Sequence, residues 1–115
     1  GPMERRKMCA SRIIIEAEQL PPVHPGEFLR EEFGIGSAMT LAGVASATGI
    51  DSALLADILA ERADMDGATD LRLARYFNVS EGLFLGLQHQ YALDSARREA
   101  GSALDAITPY QTAAE

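Results

Sequence analysis

The stretch from Thr40 to Phe77 carries the clearest alternation of apolar and polar positions in the chain, and its period is helical. Leu41, Val44 and Ala45 share one face at i, i+3, i+4 spacing, behind Thr40, whose hydroxyl suits a helix N-cap. Gly49 follows as the residue that tolerates the positive φ of a tight turn. Asp51 then caps a second helix with Leu55, Ile58 and Leu59 facing inward. Asp66 caps a third, carrying Leu71, Leu73, Ala74 and Phe77. Two short helices joined around one glycine outline a helix-turn-helix unit. Such units are known for laying their second helix in the DNA major groove.

The flanks repeat the helical signal. His24-Pro25-Gly26-Glu27 opens a helix, with proline at the first helical position and glutamate at the positive end of the dipole. Phe28, Leu29 and Phe33 form its inner face, and Gly34 and Gly36 end it. Beyond the central unit Asn78 turns the chain, and Ser80 is expected to cap a helix on which Leu83, Leu87 and Tyr91 recur beside Phe84. That stripe reads as core or dimer interface rather than as a ligand box. A separate polar, alanine-rich helix is expected over 94–106, with Leu104 and Ile107 as its late apolar contacts and Thr108-Pro109 as its stop. Ahead of Pro21-Pro22, the run Ile13-Ile14-Ile15 predicts either a short strand over 12–16 or the start of an irregular apolar arm. A lone strand needs a partner from another copy or another protein, which makes this run a candidate interaction segment. The expected fold is therefore all-α, five to six helices with a possible short N-terminal strand. It divides into an arm (1–20), a helix-turn-helix domain (21–93) and a C-terminal helix and tail (94–115). Gly1-Pro2, ahead of Met3, read as the remnant of a cleaved tag.

Composition narrows the function. A chain of 115 residues predicts one modest domain. One cysteine, Cys9, excludes an internal disulfide and points to a reducing, cytoplasmic setting. No run is apolar and long enough to span a bilayer, and no signal peptide is visible. His24, His89 and Cys9 match no zinc spacing. His24 reads as part of a helix start and His89 as a surface residue. Gly34-Ile35-Gly36 lacks the strand and pattern of a phosphate loop, and two histidines are too few to argue a catalytic triad without geometry. No cofactor, metal or enzymatic role is expected. The basic cluster Arg5, Arg6, Lys7 and Arg12 reads as a solvated terminus.

Four segments carry a family resemblance: VHPGEFLREEF (23–33), VASATGI (44–50), LRLARYF (71–77) and LFLGLQHQYAL (83–93). Together with AGSALDAITPY (100–110) they resemble HigA-type antitoxins, within the wider Cro/C1-like (XRE) helix-turn-helix group. The resemblance covers roughly residues 21–110. It implies a five-helix fold, usually homodimeric, that binds its own operator and a cognate toxin, typically a ribosome-dependent mRNA-cleaving enzyme.

The chain departs from that family where DNA reading would occur. Ala53, Leu54 and Ala56 stand where polar or basic residues are usual, and Leu41 stands where a polar residue near a phosphate is usual. The loop after the second helix is Glu61-Arg62-Ala63-Asp64 rather than basic. From Met39 to Asp66 there are five acids and one base, Arg62, in a chain of formal net charge −7, and carboxylates near phosphates oppose binding. Thr40, Ser52 and Arg62 are the candidate DNA contacts. Leu54, with Ala53 and Ala56, is a candidate apolar patch for a protein partner. Ile13, Ile14, Ile15, Leu54, Leu87 and Tyr91 are the candidate partner or dimer residues. Two readings stand in front, an antitoxin and transcriptional regulator or a helix-turn-helix scaffold that works through protein contacts alone; behind them stands an enzyme or small-molecule binder built on the same fold, which nothing in the residues demands.

Overall fold

The computed structural model describes residues 22–110, so the expected strand over 12–16, with Ile13, Ile14 and Ile15, lies outside the described residues. Among the described residues there are five α-helices: α1 (Pro25–Glu32), α2 (Leu41–Thr48), α3 (Ser52–Leu59), α4 (Gly67–Phe77) and α5 (Leu83–Ala100). A 3-10 turn, Gly101–Ala103, follows α5.

Local chemistry explains each start. His24 caps α1 with its ring, Nδ1 accepting from the Gly26 N–H at 2.9 Å, and Pro25 sits where a missing N–H costs nothing. Thr40, Asp51 and Asp66 cap α2, α3 and α4 through side-chain oxygens, as their positions predict. Asn78, in the left-handed region at φ 57°, ends α4.

The expected cap on α5 is not the observed one. The cap position is Gly82, which has no side chain to offer, rather than Ser80. Asp70, buried on α4, reaches across instead and accepts from the N–H groups of Gly82 (2.6 Å) and Leu85 (2.9 Å). Nor is there a separate helix over 94–106. The helix runs unbroken through position 94, because Ala92 to Ala100 contains strong helix formers and no glycine or proline. It ends at Gly101 (φ 53°) rather than at Thr108-Pro109. Leu104 and Ile107, expected to make late apolar contacts, are exposed.

The core forms where the helical stripes meet. Leu29, Val44, Leu55, Ile58, Leu73, Phe84 and Leu87 are essentially inaccessible. All four phenylalanines of the chain join one cluster: Phe33 lies 4.4 Å from Phe77, 5.7 Å from Phe28 and 5.8 Å from Phe84, centroid to centroid. Rings at such separations add roughly 0.5–1.5 kcal/mol per pair beyond their buried area. Gly26 lets α1 lie backbone-close on α3, since a Cβ there would collide with the Ile58 carbonyl oxygen. Alanine at 26 would push the two helices apart.

Candidate nucleic-acid interface

Helices α2 and α3 form the helix-turn-helix pair, and the turn between them is held from several sides. Gly49, at φ 77°, closes α2 by donating to the Ala45 carbonyl at 2.9 Å. Thr48 is buried; its hydroxyl donates to the Val44 carbonyl at 2.7 Å and accepts from the Ile50 N–H at 3.3 Å. From α4, Arg72 donates to the Thr48 carbonyl at 2.8 Å. A Cβ at position 49 would sit 2.8 Å from that same Arg72 Nη1, so both conformation and space call for glycine.

The other end of α3 is clamped as firmly. Arg30 on α1 donates to the Leu59 carbonyl and pairs with Glu61 at 3.1 Å. Glu61 itself takes a left-handed turn at φ 63°. Gln88 on α5 accepts from the buried Met65 N–H at 2.8 Å and donates to Asp64 at 3.3 Å, tying down the loop between α3 and α4. Helix α3 is thus presented on a rigid frame.

Its outer surface offers two hydrogen-bonding side chains, Ser52 and Asp57, the second paired with Arg62. Ser52 and Ala53 are exposed, Ala56 and Asp57 half-buried, and Ala60 exposed. Leu54 is not the exposed residue expected from the sequence. It is half-buried and packs against the core, so the apolar patch expected on this face is largely spent inward. The exposed apolar surface lies elsewhere, at Leu71 and Tyr76 on α4; Leu71, expected in the inward stripe, is half exposed.

The electrostatics are uneven. Asp51 places a carboxylate at the positive end of α3, accepting from the Leu54 N–H at 3.0 Å. Helix α2 has no acid in its first turn and is capped by the neutral Thr40, whose Oγ1 accepts from the Gly43 N–H at 3.0 Å. The start of α2 is therefore the end that can receive a phosphate. The Thr69 N–H, and after it the Thr69 hydroxyl, hold the Asp66 carboxyl below its usual value of 3.8. Arg62 is committed: Nη2 lies 2.8 Å from Asp57 Oδ1, across the root of the loop.

Among the residues singled out from sequence, Thr40, Ser52 and Arg62 fall on the two helices and the loop following them, all exposed. Leu87 is fully buried within the chain, so it is core and offers no surface to a partner. Tyr91 is half-buried with its ring 5.2 Å from His24, edge to face. Sequence reading missed Asp70, Gln88, Arg30 and Arg72. Asp70 and Gln88 had a signal, since each polar side chain falls on the apolar face of its helix, beside Leu73 and Phe84 respectively. The two arginines had none, because their partners are backbone carbonyls 24 and 29 residues away.

No family model matches the chain. Virulence-associated protein I of Dichelobacter nodosus is 31% identical over 94 residues, covering 82% of this chain and 86% of that protein. The structure of PA4674 of Pseudomonas aeruginosa, solved with its operator DNA, superposes with a TM-score of 0.72 at 31% identity, over 81% of this chain and 99% of that one. An addiction module antidote protein of the HigA family from Coxiella burnetii gives a TM-score of 0.71 at 32% identity, over 79% of this chain and all of that one. With the helix-turn-helix frame intact and the likeness running the length of these relatives, the chain belongs to the HigA family of helix-turn-helix antitoxins and transcriptional regulators.

Proposed function

We propose that this chain is a cytoplasmic homodimer that represses its own promoter by binding operator DNA and is relieved or reinforced by a cognate toxin. The observation that carries this reading is the rigid α2–turn–α3 frame, clamped at one end by Arg72 and at the other by Arg30. A scaffold that had dropped DNA binding would have no need of a recognition helix held at both ends. The similarity to PA4674, solved with its operator, supports the same role.

The chemistry of contact differs from a hydrogen-bonded readout. Thr40 and Ser52 donate to phosphates, with the backbone N–H groups opening α2. Ala53, Ala56 and Ala60 offer only methyl groups, which in the major groove suit the 5-methyl of thymine. The remaining selectivity comes from DNA shape and deformability.

The test is an anisotropy titration against duplex from upstream of the chain's own gene, beside the same duplex with thymines replaced by uracil. Salt-sensitive binding to the natural duplex, weakened by the loss of thymine methyls, supports this mode of reading. Absence of binding at low salt overturns the operator reading and favours a protein-interaction module, to which the acid-rich surface around α3 also points.

A further inference from the structure

Six large apolar side chains stand exposed among the described residues, and they fall in two places. Leu71 and Tyr76 line a groove of about 750 Å³ between the C-terminal end of α2 and α4, with Ala47 on its wall and the guanidinium groups of Arg72 and Arg75 beside them. Leu93, Leu104, Ile107 and Tyr110 lie on the outer half of α5 and the segment that follows it. Exposed apolar side chains scattered singly need no explanation; contiguous sets mark contacts.

The two places are complementary in charge. Arg75 has no carboxylate partner among the described residues, and the one bond Arg72 makes is to the Thr48 carbonyl. Arg30, Arg62 and Arg98 are all paired with carboxylates. Near the apolar residues of the C-terminal segment stand Glu99 and Asp105, both exposed and in no ion pair among the described residues. Glu81 also lines the groove and the exposed Arg97 stands beside Glu99, so the groove sets two cations against one anion and the arm two anions against one cation, opposite in net charge.

They do not meet within one chain. Every residue from Gly101 to Tyr110 is exposed, so the segment is not seated on its own domain. A groove and an arm of opposite net charge, both apolar and apart in one molecule, can be covered by those of a second. We infer that the C-terminal arm of one copy docks in the α2/α4 groove of another, Leu104 and Ile107 against Leu71 and Tyr76 and Asp105 against Arg75. Mutual exchange closes under a two-fold axis, whereas one-way docking would propagate into a filament. This inference rests on the homodimer reading above and names the surface that makes the dimer.

Sedimentation over a concentration series tests it, using the full chain and its Arg75→Glu, Asp105→Arg and doubly substituted forms. All these positions are exposed, and circular dichroism verifies folding. The expected result is a dimer for the unsubstituted chain, weakening by about tenfold for each single variant, and recovery in the double variant. A second readout fixes the geometry. In a Cys9→Ser background, Leu71→Cys chains mixed with Ile107→Cys chains should form a disulfide-linked pair under mild oxidation. A dimer indifferent to both charge variants, with no crosslink between the mixed chains, overturns the arm exchange and leaves the homodimer standing. A chain that stays monomeric throughout the micromolar range overturns both.

Discussion

The ion pair between Asp57 and Arg62 makes the sharpest demand on the DNA reading. Arg62 is the single base between Met39 and Asp66, and its guanidinium is held 2.8 Å from a carboxylate. Asp57→Asn keeps the side-chain shape, removes one negative charge and frees the arginine. The loop does not depend on the lost charge. The N–H groups of Arg62 and Ala63 both donate to the backbone carbonyl of residue 57, at 2.7 and 3.2 Å, and those bonds remain. The two side chains are 66% and 48% exposed, so the pair is of the kind that contributes roughly 0–1 kcal/mol to stability. The fold should barely notice.

DNA should. A carboxylate about 8 Å from a phosphate in water costs about 0.5 kcal/mol, hence about 1 kcal/mol over a dimer, or roughly fivefold in affinity. An arginine released to meet a phosphate adds about 0.9 to the slope of log K against log salt per protomer, or about 1.8 per dimer. Anisotropy titrations of both proteins from about 50 to about 200 mM salt measure the two quantities separately. The expected outcome is a variant that binds more tightly at low salt and loses its advantage as salt rises. If Asp57→Asn binds DNA with unchanged affinity and slope, Arg62 does not face the backbone, and the placement of α3 on DNA argued above is wrong.

Two further predictions concern the frame. Asp70→Ala strips the acceptor from two helix-start N–H groups, one of them beside the buried Phe84, and should cost about 2–4 kcal/mol, lowering the melting temperature by on the order of 10–25 °C; Asp70→Asn should recover part of this, and a urea midpoint unmoved by the alanine would show that α5 needs no cap from α4. Asp66 contributes through its ionised form, whose bond to the Thr69 N–H lowers its pKa, so its contribution is complete above the unfolded value and disappears as pH falls through the lower folded one. Asp66→Asn should therefore lose less stability than the unsubstituted chain between about pH 5 and pH 3 in urea melts, and parallel losses would refute the assignment.

How much of this could be read from the chain alone depends on the range of the interaction. Local chemistry was legible: Thr40, Asp51 and Asp66 cap the helices they precede, and Gly49 and Asn78 take the left-handed turns their types favour. Apolar periodicity located most of the core, but it misplaced Leu71, because spacing defines a face only to within a residue and that face is wide. What escaped were bonds between distant segments. Asp70 over Gly82, Arg30 over Leu59 and Arg72 over Thr48 each join helices at a backbone group, and any sequence can supply a backbone carbonyl or N–H. The break expected before 94 failed for another reason. A change from apolar to polar composition was read as a boundary, whereas the helix continues because it has left the core, not because it has ended.

That protruding half of α5 bears on why an acidic chain should retain a DNA-binding frame at all. With Arg62 paired and α3 presenting methyl groups, one protomer has little with which to hold a half-site, and a dissociation constant of about 10 μM is a generous allowance for non-specific and weak contacts together. In the proposed homodimer two joined half-sites would act at an effective concentration of about 1 mM, which would convert that weak affinity to about 0.1 μM without any new contact to DNA. On the proposed function, occupancy of an operator would then follow the dimer equilibrium more closely than any residue on α3. Residues remote from DNA, such as Asp105 on the arm and Arg75 in the groove, would control repression by controlling whether two recognition helices arrive together. A recognition helix poor in charge and an exposed arm rich in apolar side chains are, on this view, two parts of one arrangement, in which affinity is supplied by assembly.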